Sequence, residues 1–128
     1  MNYKLNEDLK LFTVEVDKYR SYYYAGASGD FNLIHIDDEY AKNVGLGGVI
    51  LQGLCTMAFV YRAVMEDKDP ARLKKFKVRF RQVVRPLDKL TIKGKVSKSE
   101  NDLACIDLIA ENQKCEQVIT NGLAIVEN

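Results

Sequence analysis

Asp30 and His35, the single histidine of the chain, stand five positions apart in Tyr24-Ala25-Gly26-Ala27-Ser28-Gly29-Asp30-Phe31-Asn32-Leu33-Ile34-His35. Imidazole exchanges a proton near neutral pH, and a neighbouring carboxylate can fix its tautomer or share one water with it. The pair therefore reads as a candidate acid/base site that handles a single water. The same residues also read as an ordinary turn closing a helix, with His35 a packed loop histidine, and the spacing alone leaves both readings open.

The elements around the pair must bring it together. Leu11-Phe12-Thr13-Val14-Glu15-Val16 has strand composition. Asp17 can then cap a helix through Ala25, which delivers the chain to Gly29 and Asp30. A second short helix is expected over 37–44, capped by Asp37 and stopped by Gly45. Beyond Gly47-Gly48, a helix over about residues 51–67 places Leu51, Leu54, Cys55, Ala58, Phe59 and Met65 on one face, which makes it the expected central, buried helix.

From Lys75 the period changes to two. Phe76, Val78 and Phe80 alternate with Lys75, Lys77, Arg79 and Arg81, and Leu90, Ile92, Gly94 and Val96 alternate with Thr91, Lys93 and Lys95. Segments 97–102 and 112–114 are turn-like and separate strands over 103–110 and 116–126. Helices followed by antiparallel strands around one apolar helix predict an α+β fold, and the length predicts a single domain over 1–128.

Composition narrows the function classes. The chain is 47% hydrophobic with a net charge of +1, the profile of a globular protein with no bias toward a charged partner. Cys55, Cys105 and Cys115 are odd in number, widely spaced and without histidine at ligand spacing, so neither a disulfide framework nor a metal site is expected. No apolar run reaches the length of a membrane span, and the first eight residues do not run from basic to apolar as a secretory leader does. A cytoplasmic protein with reduced thiols is expected, without cofactor. The basic series Arg72, Lys74, Lys75, Lys77, Arg79, Arg81 and Arg85 could steer an anionic carrier. A solvated strand face is the plainer reading of it, and it lacks the interleaved aromatics of a nucleic-acid surface. Tyr22-Tyr23-Tyr24 and Cys55 read first as packing residues.

The stretch Ser28-Gly29-Asp30-x-Asn32-x-Ile34-His35, with Ala41 six residues on, resembles the hydratase signature of the MaoC-like (R)-specific enoyl-thioester hydratase and dehydratase family. Asp37-Asp38-Glu39-Tyr40-Ala41, Gly53-Leu54-x-x-Met57, Val78-Arg79-Phe80 and Val84-x-Pro86-x-Asp88 follow in the family's order. Two positions depart from it: Leu33 stands where proline is usual, and Gln52 stands where histidine commonly precedes the helix glycine.

The resemblance implies a hot-dog fold, a curved antiparallel sheet around the central helix, and a homodimer or higher homo-oligomer. It implies that Asp30 and His35 are catalytic, adding one water reversibly across a trans-2-enoyl thioester of CoA or acyl carrier protein to give the (3R)-hydroxyacyl thioester. It implies that Gly53 and Asn32 serve the substrate, Gly53 by offering its N–H to the thioester oxygen at a helix N-terminus and Asn32 by shaping the loop. A plain helix-entry glycine and a turn-forming asparagine remain the simpler readings of those two. The alternatives are a hot-dog thioesterase, disfavoured because 51–65 carries no Asp or Glu, and a catalytically silent acyl-binding subunit, disfavoured because Asp30 and His35 are both present.

Overall fold

A computed structural model describes residues 3–128; Met1 and Asn2, the start of the segment read for a leader, lie outside it. The elements run β1 (Phe12–Glu15), α1 (Arg20–Ser28), a 3-10 turn (Leu33–His35), α2 (Asp38–Asn43), α3 (Gly53–Met65), a second 3-10 turn (Pro70–Arg72), β2 (Leu73–Phe80), β3 (Lys89–Glu100), β4 (Leu103–Glu111) and β5 (Gln117–Glu127). The strands form one five-stranded antiparallel sheet in the order β1-β3-β4-β5-β2. Together with α3 they make a hot-dog fold, as the family resemblance implies. Among the described residues no helix is long and apolar enough to cross a membrane.

Alternation builds the sheet. Leu90, Ile92 and Val96 of β3, Ala104, Ile106, Leu108 and Ala110 of β4, and Ala124 and Val126 of β5 are buried on its inner side. Cys55, Phe59, Val60, Val64 and Met65 of α3 join them in one core. Strand β5 holds one residue more than its neighbours in the middle of the ladder, since Leu108 and Ala110 face Gly122 and Ile119, and Lys77 and Arg79 face Leu123 and Thr120. Asn121 takes a left-handed φ of 50° at this bulge. Such a bulge bends the strand and increases its twist, which lets the sheet curve about the helix.

Three expectations are corrected. The first helix begins at Arg20, not Asp17, because the Asp17 carboxylate accepts from the Tyr19 N–H at 3.0 Å and closes a turn before the helix. Residues 97–100 belong to β3, and only Asn101 and Asp102, with φ of 52° and 60°, make the hairpin turn. The central helix starts at Gly53, and only part of its expected face is inside. Leu54 is 63% exposed and Ala58 is also exposed, whereas Cys55 and Phe59 are buried. Gly53, Leu54, Met57, Ala58 and Tyr61 thus form a second apolar stripe, open or half-open to solvent on α3. Asp37 caps α2 as expected, accepting from the Tyr40 N–H at 3.1 Å.

Candidate active site

The segment that carries Asp30 and His35 is shaped by short side chains bonding to nearby main chain. Gly29 ends α1 in the left-handed conformation (φ 79°), its N–H donating to the Ala25 carbonyl at 2.8 Å, a geometry that glycine adopts without steric cost. Ser28 Oγ donates to the Tyr24 carbonyl at 2.7 Å and accepts from the Asp30 N–H at 3.1 Å. Asp30 Oδ1 accepts from the Asn32 N–H at 3.3 Å, and Asn32 Oδ1 accepts from the Ile34 N–H at 3.3 Å, capping the 3-10 turn on which His35 sits. Asn32 has φ −54° and ψ 129°, the extended geometry that a following proline would impose. The loop therefore holds its shape with Leu33 in place of proline.

His35 is 8% exposed, and its Nδ1 lies 2.8 Å from the Ile50 carbonyl oxygen. A carbonyl only accepts, so Nδ1 carries the hydrogen and Nε2 of the neutral ring is left as an acceptor. Nε2 lies 3.8 Å from Asp30 Oδ2, whose side chain is 47% exposed. That separation is too long for a direct hydrogen bond, and it leaves one oxygen atom within reach of both groups.

Gly53 opens α3 beside them. The Cys55 and Thr56 N–H groups both turn back to the Gln52 carbonyl, and among the described residues the Gly53 N–H has no acceptor. A free N–H at a helix start attracts negative charge. His35, Gly53 and Thr56 line an open cavity of about 280 Å³ together with Phe80 to Val84. Asp30 and Asn32 do not line it; Asp30 meets it through its approach to His35. A larger concavity of about 680 Å³ lies elsewhere, over Gly94 and Gly122, and includes neither His35 nor Gly53.

Sequence reasoning did not find two contributors. The Ile50 carbonyl is main chain, fifteen residues from the ring it orients, and no side-chain motif marks such a partner. Phe80, 50% exposed, sets its ring 3.3 Å from where a Cβ on Gly53 would stand, so a side chain there would have to push the ring aside by a few tenths of an ångström. Strand alternation and the family order of Val78-Arg79-Phe80 marked the residue, but neither marked its place over Gly53.

Burial raises the Cys55 thiol above its ordinary 9.0, with the nearby Arg20 charge working the other way. The Tyr24 hydroxyl is also raised, first by burial and then by Cys55 and Asp30. Cys55 is therefore held as a thiol. The sign for stability follows: a raised value favours the folded state below the ordinary thiol value, and that contribution falls away as pH rises through the raised one. A disulfide reagent at about pH 8 is expected to label exposed Cys115 first, half-buried Cys105 more slowly, and Cys55 only on unfolding. Rapid labelling of Cys55 in the folded protein contradicts this.

A sheet curved about one helix, with a carboxylate and an imidazole near that helix's N-terminus, sets the chain among hot-dog proteins. It belongs to the MaoC like domain family, whose model matches residues 4–122. It is 38% identical over 107 residues to a Dictyostelium discoideum protein named "Probable enoyl-CoA hydratase 2", a match covering 81% of this chain and 35% of that protein. It is 45% identical over 62 residues to the mouse peroxisomal multifunctional enzyme type 2, covering 46% of this chain and 8% of the relative. This chain thus spans only a minor part of these relatives' length. Among solved structures, R-hydratase PhaJ1 from Pseudomonas aeruginosa superposes with a TM-score of 0.87 at 21% identity, covering 97% of this chain and 81% of that one.

Proposed function

We propose that the chain hydrates trans-2-enoyl thioesters of CoA or acyl carrier protein to (3R)-hydroxyacyl thioesters, reversibly, with Asp30 and His35 sharing the water. The observation that carries the reading is the approach of His35 Nε2 to Asp30 Oδ2 at 3.8 Å beside the unbonded Gly53 N–H. The (R) specificity rests on the resemblance of Ser28-Gly29-Asp30-x-Asn32-x-Ile34-His35 to the signature of the (R)-specific hydratases.

In the proposed step the water donates its hydrogens to the two acceptors. As its oxygen bonds to carbon 3, one acceptor takes a proton, the C2–C3 π electrons move toward the thioester carbonyl, and the Gly53 N–H meets the negative charge that develops on that oxygen. The proton taken from water then passes to carbon 2, so atoms and charge balance. Asn32 supports the substrate only indirectly, by capping the turn that carries His35. Dehydration is the same path reversed.

Thiol-ester hydrolysis is disfavoured because α3, with sequence GLCTMAFVYRAVM, offers no carboxylate to direct water at the carbonyl. The exposed Leu54 stripe on α3 and the half-exposed Phe80 on edge strand β2 support a homodimer in which a second copy covers this face. The three cysteines are free, which supports a reducing compartment such as the cytoplasm.

The test is to mix the protein with a short trans-2-enoyl-CoA and follow the conjugated double bond alongside free thiol. Loss of the double bond without thiol release is expected. Thiol release with the double bond intact overturns the reading in favour of hydrolysis, and neither signal overturns both.

A further inference from the structure

Gln52 is 1% exposed at the N-cap of α3, and its side chain holds a different helix: Nε2 donates to the Ser21 carbonyl oxygen of α1 at 2.8 Å. Because that carbonyl only accepts, the bond settles which way the amide faces. Its Oε1 is then left buried with no hydrogen-bond partner. A buried acceptor without a partner is destabilising, and an apolar side chain of similar length would fill the position without it. Core packing alone gives no reason for glutamine here.

The bond joins parts of the chain that matter to one another. Helix α1 ends at Ser28 and passes through Gly29 into Asp30. The residue after Gln52 is Gly53, with its free N–H, and two residues earlier the Ile50 carbonyl holds His35. Residues 50–53 thus touch the imidazole, the helix that delivers the carboxylate, and the donor at the start of α3.

We infer that Gln52 is a positioning residue: its amide clamps α1, the helix that leads through Gly29 into Asp30, to the N-terminus of α3 and so sets the distance between the Asp30–His35 pair and the Gly53 N–H. This rests on the function proposed above. Alignment of acid/base pair and oxyanion donor matters most as charge develops, so the clamp acts on the transition state more than on substrate binding.

The test uses Gln52→Met, which keeps side-chain length and removes both the donor and the unpaired oxygen. Turnover of an enoyl-CoA is expected to fall ~10- to 100-fold, in line with misplacement of reacting groups, with KM within about twofold and a thermal midpoint equal to or above that of the unaltered protein. Gln52→His, which returns a ring N–H donor, is expected to recover most of the loss. Ser21→Ala, which leaves the accepting carbonyl in place, should change little. With bound butyryl-CoA labelled at its carbonyl carbon, the carbonyl infrared band is expected to lie at lower frequency in the unaltered protein than in Gln52→Met.

Equal turnover and an equal band in the two proteins overturn the inference alone. A loss of turnover that follows a lowered thermal midpoint and is not recovered by Gln52→His assigns Gln52 a merely structural role and also overturns it. If the unaltered protein does not hydrate enoyl-CoA, the functional reading falls first, and the carbonyl band still decides whether Gln52 sets the Gly53 donor.

Discussion

Asp30→Asn and His35→Ala are each expected to lower turnover of a trans-2-enoyl thioester by at least about 100-fold, the scale of a general acid or base, while the protein stays folded. Asp30→Asn is the cleaner of the two. The amide retains an oxygen that can accept from the Asn32 N–H, so the loop keeps its 3.3 Å bond, and what is lost is the carboxylate facing His35 Nε2. His35→Ala removes the ring and leaves the Ile50 carbonyl without its side-chain partner, but the Ile50 N–H still donates to the Ile34 carbonyl at 3.0 Å, which holds the two segments together. Circular dichroism and thermal melts separate misfolding from lost chemistry. Unchanged turnover in a folded variant removes that residue from the mechanism, and a double variant that loses no more than either single one indicates that the two act as a unit.

The largest effect on stability is expected from Gly122→Ala. Gly94, Leu108 and Gly122 lie in one row across β3, β4 and β5, and the Leu108 side chain occupies space that its two glycine neighbours leave empty. A Cβ on Gly122 would stand 2.8 Å from both the Leu108 Cβ and its carbonyl oxygen. Those atoms belong to or adjoin a main chain paired on both sides, so relief requires the ladder to shift, at a cost of about 1–3 kcal/mol. A Cβ on Gly94 meets Leu9 Cδ1 at 2.6 Å and Leu108 Cδ2 at 2.9 Å. These are the ends of side chains, and half-buried Leu9 can turn away, so Gly94→Ala is expected to cost less. Urea unfolding of both variants checks the order, and equal midpoints would show that the ladder yields as easily as a side chain.

The strands were readable because their inner faces need apolar residues at every second position while solvent accepts lysine at the others. Residues 97–100 misled because Ser, Lys and Glu are turn-like, yet Ser97, Lys98 and Glu100 face solvent and half-buried Ser99 is satisfied by the Tyr3 carbonyl, so polar residues can stay in the ladder. Helix α3 was readable as central but not as two-sided. Its exposed stripe is as apolar as its buried one, so hydrophobic pattern could not tell Leu54 from Cys55. At the site, the five-residue spacing of Asp30 and His35 left their meeting open, and the family resemblance pointed to it. The parts that orient them, a main-chain carbonyl at Ile50, the Gln52–Ser21 bond between helices and the Phe80 ring over Gly53, depend on chain segments meeting from a distance and leave no mark in local sequence.

The lone ring nitrogen left open on His35 has one more consequence for the proposed reaction. With Nδ1 committed to Ile50, the imidazole has a single port through which hydrogen can enter or leave. What it or Asp30 borrows from water is spent at carbon 2 within the same cycle. Each round therefore ends with the site in its starting charge state, and no recharging from bulk solvent has to intervene before the next acyl group arrives.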